Sequence, residues 1–246
     1  MAQVSLKNIT LEYPVITARS QAIKTALFTR LGGTISDHDR TIIVRALQGI
    51  DLELSDGDRL GIVGHNGAGK STILKVISRI YEPQIGSVTI SGTVSSLVDI
   101  TLGMDSEATG WDNIRFRGAF MGLSNEQTRA LAPSIAGFSE LGDYLNMPLR
   151  TYSSGMFMRL AFAIATSVQP EIIVMDEMIG AGDAGFVDKA VARLDGMLGN
   201  SKILVVASHS NATIRKFCNK VLWLEKGKMR SIGPVDQILS DYEKGL

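Results

Sequence analysis

The segment Gly64-His65-Asn66-Gly67-Ala68-Gly69-Lys70-Ser71, followed by Thr72, carries the clearest chemistry in the chain. Its pattern, G-x-x-x-x-G-K-[ST], makes a loop whose consecutive backbone N–H groups turn inward around phosphate oxygens. Glycines are needed because a β-carbon there would clash or forbid the required φ/ψ. Lys70 offers a point charge to the β- and γ-phosphates, Ser71 a hydroxyl ligand to Mg2+, and a helix starting at Lys70 its dipole. A Gly-rich turn with an incidental lysine is the competing reading. The flanks speak against it, since an apolar strand, RLGIV (59–63), feeds the loop and a helix-forming run, STILKVIS, leaves it.

Nucleotide hydrolysis at such a loop needs a carboxylate at the end of a neighbouring strand. Ile172-Ile173-Val174-Met175-Asp176-Glu177 supplies two. Four apolar residues bring Asp176 to the carboxyl edge of a sheet, where open α/β folds bind ligands. Asp176 is expected to hold Mg2+ through water, and Glu177 to orient and activate the attacking water. Adjacent carboxylates in that position are costly unless an ion or a helix terminus compensates them. A solvated strand end is the bland alternative. His209 follows a second apolar run, ILVVAS (203–208). A lone histidine reads as structural in isolation, but on the same sheet edge it would reach the γ-phosphate and the water. His65 lies inside the loop and His38 in a charged stretch. His/Cys ligand spacing is absent, so Mg2+ is the metal implied.

The elements that must position these residues can be read from the rest of the chain. It has 246 residues, 45% of them apolar, enough for one large domain or two small ones. Lys and Arg number 25, as do Asp and Glu, and a net charge of zero argues against non-specific nucleic-acid binding. Cys218 is the one cysteine, so there is no internal disulfide or cysteine-built zinc site, and a reducing setting fits. The start, MAQVSLKNIT, predicts no secretory signal. A bilayer span needs about 20 mostly apolar residues in a row. The longest runs here, IIVM and ILVVA, are strand-length.

Strands are predicted over 4–12, 42–54, 59–63, 87–92, 93–99, 171–175 and 202–207, with a hairpin over 221–232 turning at Lys226-Gly227. Helices are predicted over 70–80, 155–168 and 186–198, with a short one after residue 208 and a last one after Pro234. That last helix places Val235, Ile238, Leu239 and Tyr242 on one side. Residues 109–150 read as helical and amphipathic, with Ser124 and Gln127 as a capping box. Alternating strands and helices imply a parallel sheet covered on both faces. Between Pro14 and residue 41 lies an irregular stretch with a short helix through Ile23, Leu27 and Leu31. The span 19–45 is locally basic, and reads either as a solvated surface insertion or as a contact with a membrane surface or a membrane-embedded partner.

With these residues placed, the chain resembles the nucleotide-binding subunit of ATP-binding cassette (ABC) transporters over nearly its whole length. That family carries a signature at a helix start upstream of the magnesium strand. Tyr152-Ser153-Ser154-Gly155-Met156 stands there, with Ser154 twenty-two residues before Asp176. Ser153, Ser154 and Gly155 would expose N–H and hydroxyl donors at a helix N-terminus. The resemblance implies an α/β fold: a P-loop NTPase parallel-sheet core with an antiparallel β subdomain (1–99 and 168–246) and a helical signature subdomain (100–167). It implies ATP and Mg2+ as cofactors and a homodimer sandwiching two ATPs, with Ser153, Ser154, Gly155 and Met156 facing the ATP of the other protomer. Tyr13 is similar to the aromatic that stacks on adenine, or is an ordinary edge aromatic. Asp183, in Gly180-Ala181-Gly182-Asp183, resembles the loop aspartate that links the two sites. His209 resembles the switch histidine and Glu177 the catalytic carboxylate.

The sequence also departs from the family pattern. Leucine, a second glycine and glutamine are usual where this chain has Tyr152, Ser154 and Met156. The usual glutamine before the helical subdomain is missing, and Asp99 is the nearest polar candidate, a possible metal ligand. YSSGM followed by MRLAFAIAT, GAGDAGF (180–186), Leu102-Gly103 and the insertion after Tyr13 are similar to the branch that exports lipid-linked O-antigen, capsular polymers and teichoic acids. The resemblance implies a separate membrane permease, a lipid-linked glycan as cargo and a peripheral location on the cytoplasmic face of the membrane. No nucleic acid and no carbohydrate-binding domain are expected in this chain. The alternatives are an ABC ATPase with another cargo and a soluble, non-transport ABC protein.

Overall fold

The computed structural model describes residues 1–15, 42–176 and 184–245. In chain order the strands are β1 (Gln3–Val15), β2 (Ile42–Ser55), β3 (Arg59–Val63), β4 (Ile85–Ser91), β5 (Val94–Leu97), β6 (Ile172–Asp176), β7 (Ile203–Ala207), β8 (Lys220–Glu225) and β9 (Lys228–Pro234). The helices are α1 (Lys70–Ile77), α2 (Gly110–Phe120), α3 (Asn125–Ser139), α4 (Ser154–Ala165), α5 (Ala184–Asn200), α6 (Asn211–Phe217) and α7 (Val235–Lys244). Two 3-10 turns, Gly142–Asn146 and Leu149–Thr151, lead into α4. The short helix expected through Ile23, Leu27 and Leu31 lies outside the described residues.

Among the described residues, two sheets form. The larger runs β5-β6-β7-β3-β8-β9, parallel except for the antiparallel hairpin strand β9. Its central strands are apolar on both faces, and all five residues of β7 are buried, as expected for a parallel sheet sandwiched between helices. The smaller sheet, β2-β1-β4, is antiparallel. The two short strands meeting at Gly92 divide between the sheets. Val4 pairs with Ile90 on β4, whereas Leu97 on β5 pairs with Met175 on β6.

Two helices end sooner than the sequence predicts. Helix α1 stops at Ile77 because Arg79 adopts a left-handed φ of 58°, and its guanidinium bonds the Ile90 carbonyl at 2.6 Å. Helix α4 stops at Ala165, where the Thr166 hydroxyl donates to the Phe162 carbonyl and the Ser167 hydroxyl to Ile164. The capping box at Ser124 and Gln127 is present in both directions.

Helix α4 is apolar nearly all round, and the surroundings explain why. Ala161, Phe162 and Ala165 join a core cluster with Ile173, Phe186 and Val206. Leu160, Ala163 and Ile164 join another with Ile114, Ile135 and Leu145 from the 110–151 region. Phe162 is fully buried, stacked on Phe138 and edge-on to Phe186, each with ring centroids 6.0 Å apart.

The turn before β3 is fixed by Asp58. Its carboxylate accepts from the Ser55 N–H at 2.9 Å and from Lys220 Nζ at 2.5 Å. Burial pushes the Asp58 carboxyl up, but Lys220 and Ser55 outweigh it and hold it below the usual carboxylate range.

Two outcomes follow. Phe162→Ala is expected to destabilise the fold by about 3–5 kcal/mol through the cavity it leaves, read from the urea midpoint. Asp58→Asn should be less stable than wild type at neutral pH. A depressed folded-state pKa stabilises fully above the unfolded value of about 4 and loses that contribution as pH falls through the folded value. The gap between the two proteins should therefore close in acid, measured as Tm against pH.

Candidate functional site

Strand β3 enters the middle of the larger sheet and ends at Val63, and the loop 64–69 follows. The loop is pressed against its surroundings at both glycine ends. A β-carbon on Gly64 would lie 2.3 Å from the Leu224 carbonyl oxygen, and one on Gly69 would lie 2.6 Å from that of Ala46. The Ala68 N–H donates to the His65 carbonyl at 3.1 Å, closing the turn. Gly69, with φ 104°, caps α1 without a side-chain hydrogen bond, so the first N–H groups of the helix are left for an anion. Lys70 is 8% exposed, and its ammonium donates to the carbonyls of Gly64 at 2.7 Å and His65 at 3.2 Å, inside the loop. His65, Asn66 and Gly67 form the exposed tip, with the His65 ring edge-on to Tyr242.

The strand register brings the other groups to this point. Ala207 on β7 is level with Ile62 on β3 and with Asp176 on β6, so three strands end in one row. Ser71 Oγ, in the first turn of α1, donates to Asp176 Oδ2 at 2.6 Å across 105 residues of sequence. His209 stands two residues past Ala207 on the same edge, exposed. Among the described residues no cluster of three or more His, Cys, Asp or Glu is grouped as a metal cage. The Ser71–Asp176 oxygen pair suits Mg2+, which takes one or two protein ligands and keeps several waters. Glu177 and Asp183 lie outside the described residues.

Asp99 lies two residues past Leu97 of β5, which is level with Met175 on β6. It sits beyond β5, the edge strand, and its Oδ1 accepts from the Thr101 N–H at 3.1 Å and hydroxyl at 2.7 Å. One carboxylate oxygen is thus engaged within its own turn, as those of short polar side chains often are. Behind that turn, the buried Arg117 donates to the Leu102 carbonyl. Burial pushes Arg117 below its usual range, and the charge of Asp99 opposes this.

Tyr13 is half-buried beside α1. It packs edge-on against Tyr81 at 5.8 Å and shares a side-chain hydrogen bond with Thr72. Burial pushes its phenol above the usual range, and the Thr72 bond pulls it partly back. The first-strand aromatic and the loop helix are therefore neighbours. Ser153, by contrast, caps α4, accepting from the Met156 N–H at 3.2 Å, and Ser153 and Ser154 are both exposed. The Met156 side chain packs on the helical cluster, and its backbone N–H is the one that Ser153 holds. Tyr152 is pinned by its hydroxyl to the Tyr144 carbonyl at 2.7 Å. Sequence reasoning missed the wall behind the loop, where the Gly227 N–H donates to the Ala68 carbonyl at 3.0 Å. The turn glycine was visible, its partner was not.

The sequence profile of the ABC transporter family matches residues 47–180, which include the loop and Asp176. This chain belongs to the ABC transporter family. It is 42% identical over 232 residues to the O-antigen export system ATP-binding protein RfbE of Yersinia enterocolitica, covering 92% of this chain and 96% of the relative. It is 36% identical to the O-antigen export system ATP-binding protein RfbB of Myxococcus xanthus, covering all of this chain but only 56% of that protein. The teichoic acids export ATP-binding protein TagH of Listeria monocytogenes is 33% identical, over 98% of this chain and 70% of its own. Among solved structures, a dimeric ATP-binding cassette in a post-hydrolysis state with ADP and Pi shares the fold, with a TM-score of 0.65 at 22% identity, covering 94% of this chain and 98% of that one. In this ABC ATPase the glycine-rich loop and Asp176 meet at one edge of the sheet.

Lys70→Ala should weaken Mg·ADP binding by about 1.5–3 kcal/mol, the value of hydrogen bonds to charged groups. That is roughly ten- to 150-fold in Kd by titration calorimetry.

Proposed function

We propose that this ABC ATPase powers export of a lipid-linked, O-antigen-like polysaccharide across the cytoplasmic membrane through a separate membrane-spanning subunit. The observation that carries the proposal is the likeness to the Yersinia O-antigen export protein over nearly the full length of both chains. None of the described helices is long and apolar enough to cross a membrane, which fits a chain that works with a separate permease.

In this reading the core comprises 1–99 and 168–246 and the helical part 100–167. Lys70, the loop N–H groups and Thr72 bind the triphosphate. Ser71 and Asp176 hold Mg2+, which when bound supplies positive charge to the phosphoryl oxygens. Glu177 takes a proton from the attacking water, and His209 positions the water against the γ-phosphate from the neighbouring strand. Tyr13 packs beside the adenine, and the segment Ser153, Ser154, Gly155 and Met156 faces the ATP of the second protomer. Asp183 joins the two sites of a homodimer. The subunit lies on the cytoplasmic face, and its motion reaches the permease through the helical part.

Deletion of the gene should leave lipid-linked glycan inside the cell, with none at the surface. Wild type should restore export and Lys70→Ala should not. Normal surface glycan in the deletion strain would refute the cargo. Glu177→Gln should hydrolyse ATP at least a hundredfold more slowly, since general-base catalysis contributes about 10²–10⁴. It should accumulate as an ATP-bound dimer on size-exclusion chromatography, and turnover near wild type would remove Glu177 from its role.

A further inference from the structure

We infer that Gly227, in the turn between β8 and β9, is a positioning residue for the phosphate loop. The inference rests on reading residues 64–71 as the nucleotide site. The Gly227 N–H donates to the Ala68 carbonyl at 3.0 Å, and the Gly227 carbonyl accepts from the Gln48 N–H at 2.8 Å. Gln48 grips the turn a second time, its Nε2 donating to the Lys226 carbonyl at 3.0 Å. Strand β2, the hairpin and the loop are thus joined in series.

The consequence lies in one peptide unit. A trans peptide is planar, so the carbonyl of one residue and the N–H of the next point in opposite directions. Anchoring the Ala68 carbonyl outward on Gly227 turns the Gly69 N–H the other way, to the concave side of the loop. The N–H of Ala68 itself is already committed to His65. Gly227 therefore holds a donor in place before any phosphate arrives, and a preorganised donor costs no reorientation on binding.

Only glycine fits the turn. Its φ is +78°, and a β-carbon would lie 2.7 Å from the Ala46 carbonyl oxygen and 3.1 Å from the Ala46 carbonyl carbon. The same Ala46 oxygen limits Gly69. One carbonyl on β2 is the floor on which both the loop and its prop rest. A methyl at position 227 must lift the turn off that floor, and the Ala68 carbonyl then follows the turn or loses it.

The test uses the full chain, with Mg·ADP binding by calorimetry and the ATPase KM. Gly227→Ala should raise Kd and KM about tenfold, or ~1.4 kcal/mol. Its kcat at saturating ATP should stay within about twofold, because the lost interaction acts on bound and reacting states alike. Gly57→Ala is the control, since Gly57 has φ +93° in a turn with nothing within 4 Å of its added carbon. It should lower Tm and leave Kd unchanged. Gln48→Ala removes one of the two grips and should raise Kd about two- to threefold, the value of a weak hydrogen bond, with Tm near wild type. If Gly227→Ala does not fold, an unchanged Kd in Gln48→Ala overturns the inference. So does a folded Gly227→Ala that binds Mg·ADP as tightly as Gly57→Ala. Wild-type affinity in Lys70→Ala would instead refute the nucleotide site itself.

Discussion

The hydrogen bond from Ser71 Oγ to Asp176 Oδ2, 2.6 Å long, is where two distant stretches of sequence become one site. Neither partner sets that distance alone. Ser71 rides on the first turn of α1, which the loop 64–69 joins to β3, and Asp176 is the last residue of β6. Strand β7 stands between them, level with both through Ala207. Two strand spacings amount to about 10 Å, more than a side-chain hydrogen bond can cover. The helix start therefore leans over β7 towards β6.

The apolar character of the sheet explains why the polar chemistry gathers at this edge. Ile172 to Met175 and Ile203 to Ala207 are buried on both faces, so a polar side chain in either run would have to be satisfied inside the core. The first place where a carboxylate or an imidazole is inexpensive is the residue that clears the helices. Asp176 and His209 occupy such places, and Lys70 is the exception that supports the argument. It is buried, yet its ammonium is tied to two loop carbonyls, which hold the charge where phosphate oxygens would otherwise meet only backbone dipoles.

Much of this was legible in the sequence because the decisive signals are local. The spacing of glycines around Lys70, the apolar runs before Asp176 and His209, the Ser124–Gln127 box and the Lys226-Gly227 turn each span fewer than ten residues. What was not legible depends on partners far along the chain. Gly92 divides two strands that look like a pair, because β1 and β6 claim one each. Tyr13 meets Tyr81, and the Ala68 carbonyl finds its donor in Gly227, contacts that no periodicity encodes. The local bond from the Thr101 hydroxyl to Asp99 Oδ1 is another contact that no periodicity encodes. Glu177 rests on its place behind the apolar run and Asp183 on the family resemblance, and both lie outside the described residues.

The departures in the signature segment are linked to each other through α4. A helix shared by two apolar clusters cannot rotate without disturbing one of them, so its N-terminus must be held from outside the helix. Tyr152 does this by reaching back to the Tyr144 carbonyl, while a β-carbon on Gly110 would sit 2.6 Å from its hydroxyl. A leucine in that place would fill similar space but leave the carbonyl without that donor. Met156 secures the next turn by packing on the helical cluster where a glutamine would present an amide. Tyr152 and Met156 together hold the first turn of α4 through packing and one hydrogen bond, and leave the recognition surface to the hydroxyls of Ser153 and Ser154 and to backbone donors. Any rearrangement that moves those serines must therefore shift α4 against at least one of its two apolar clusters, or break the Tyr152 contact.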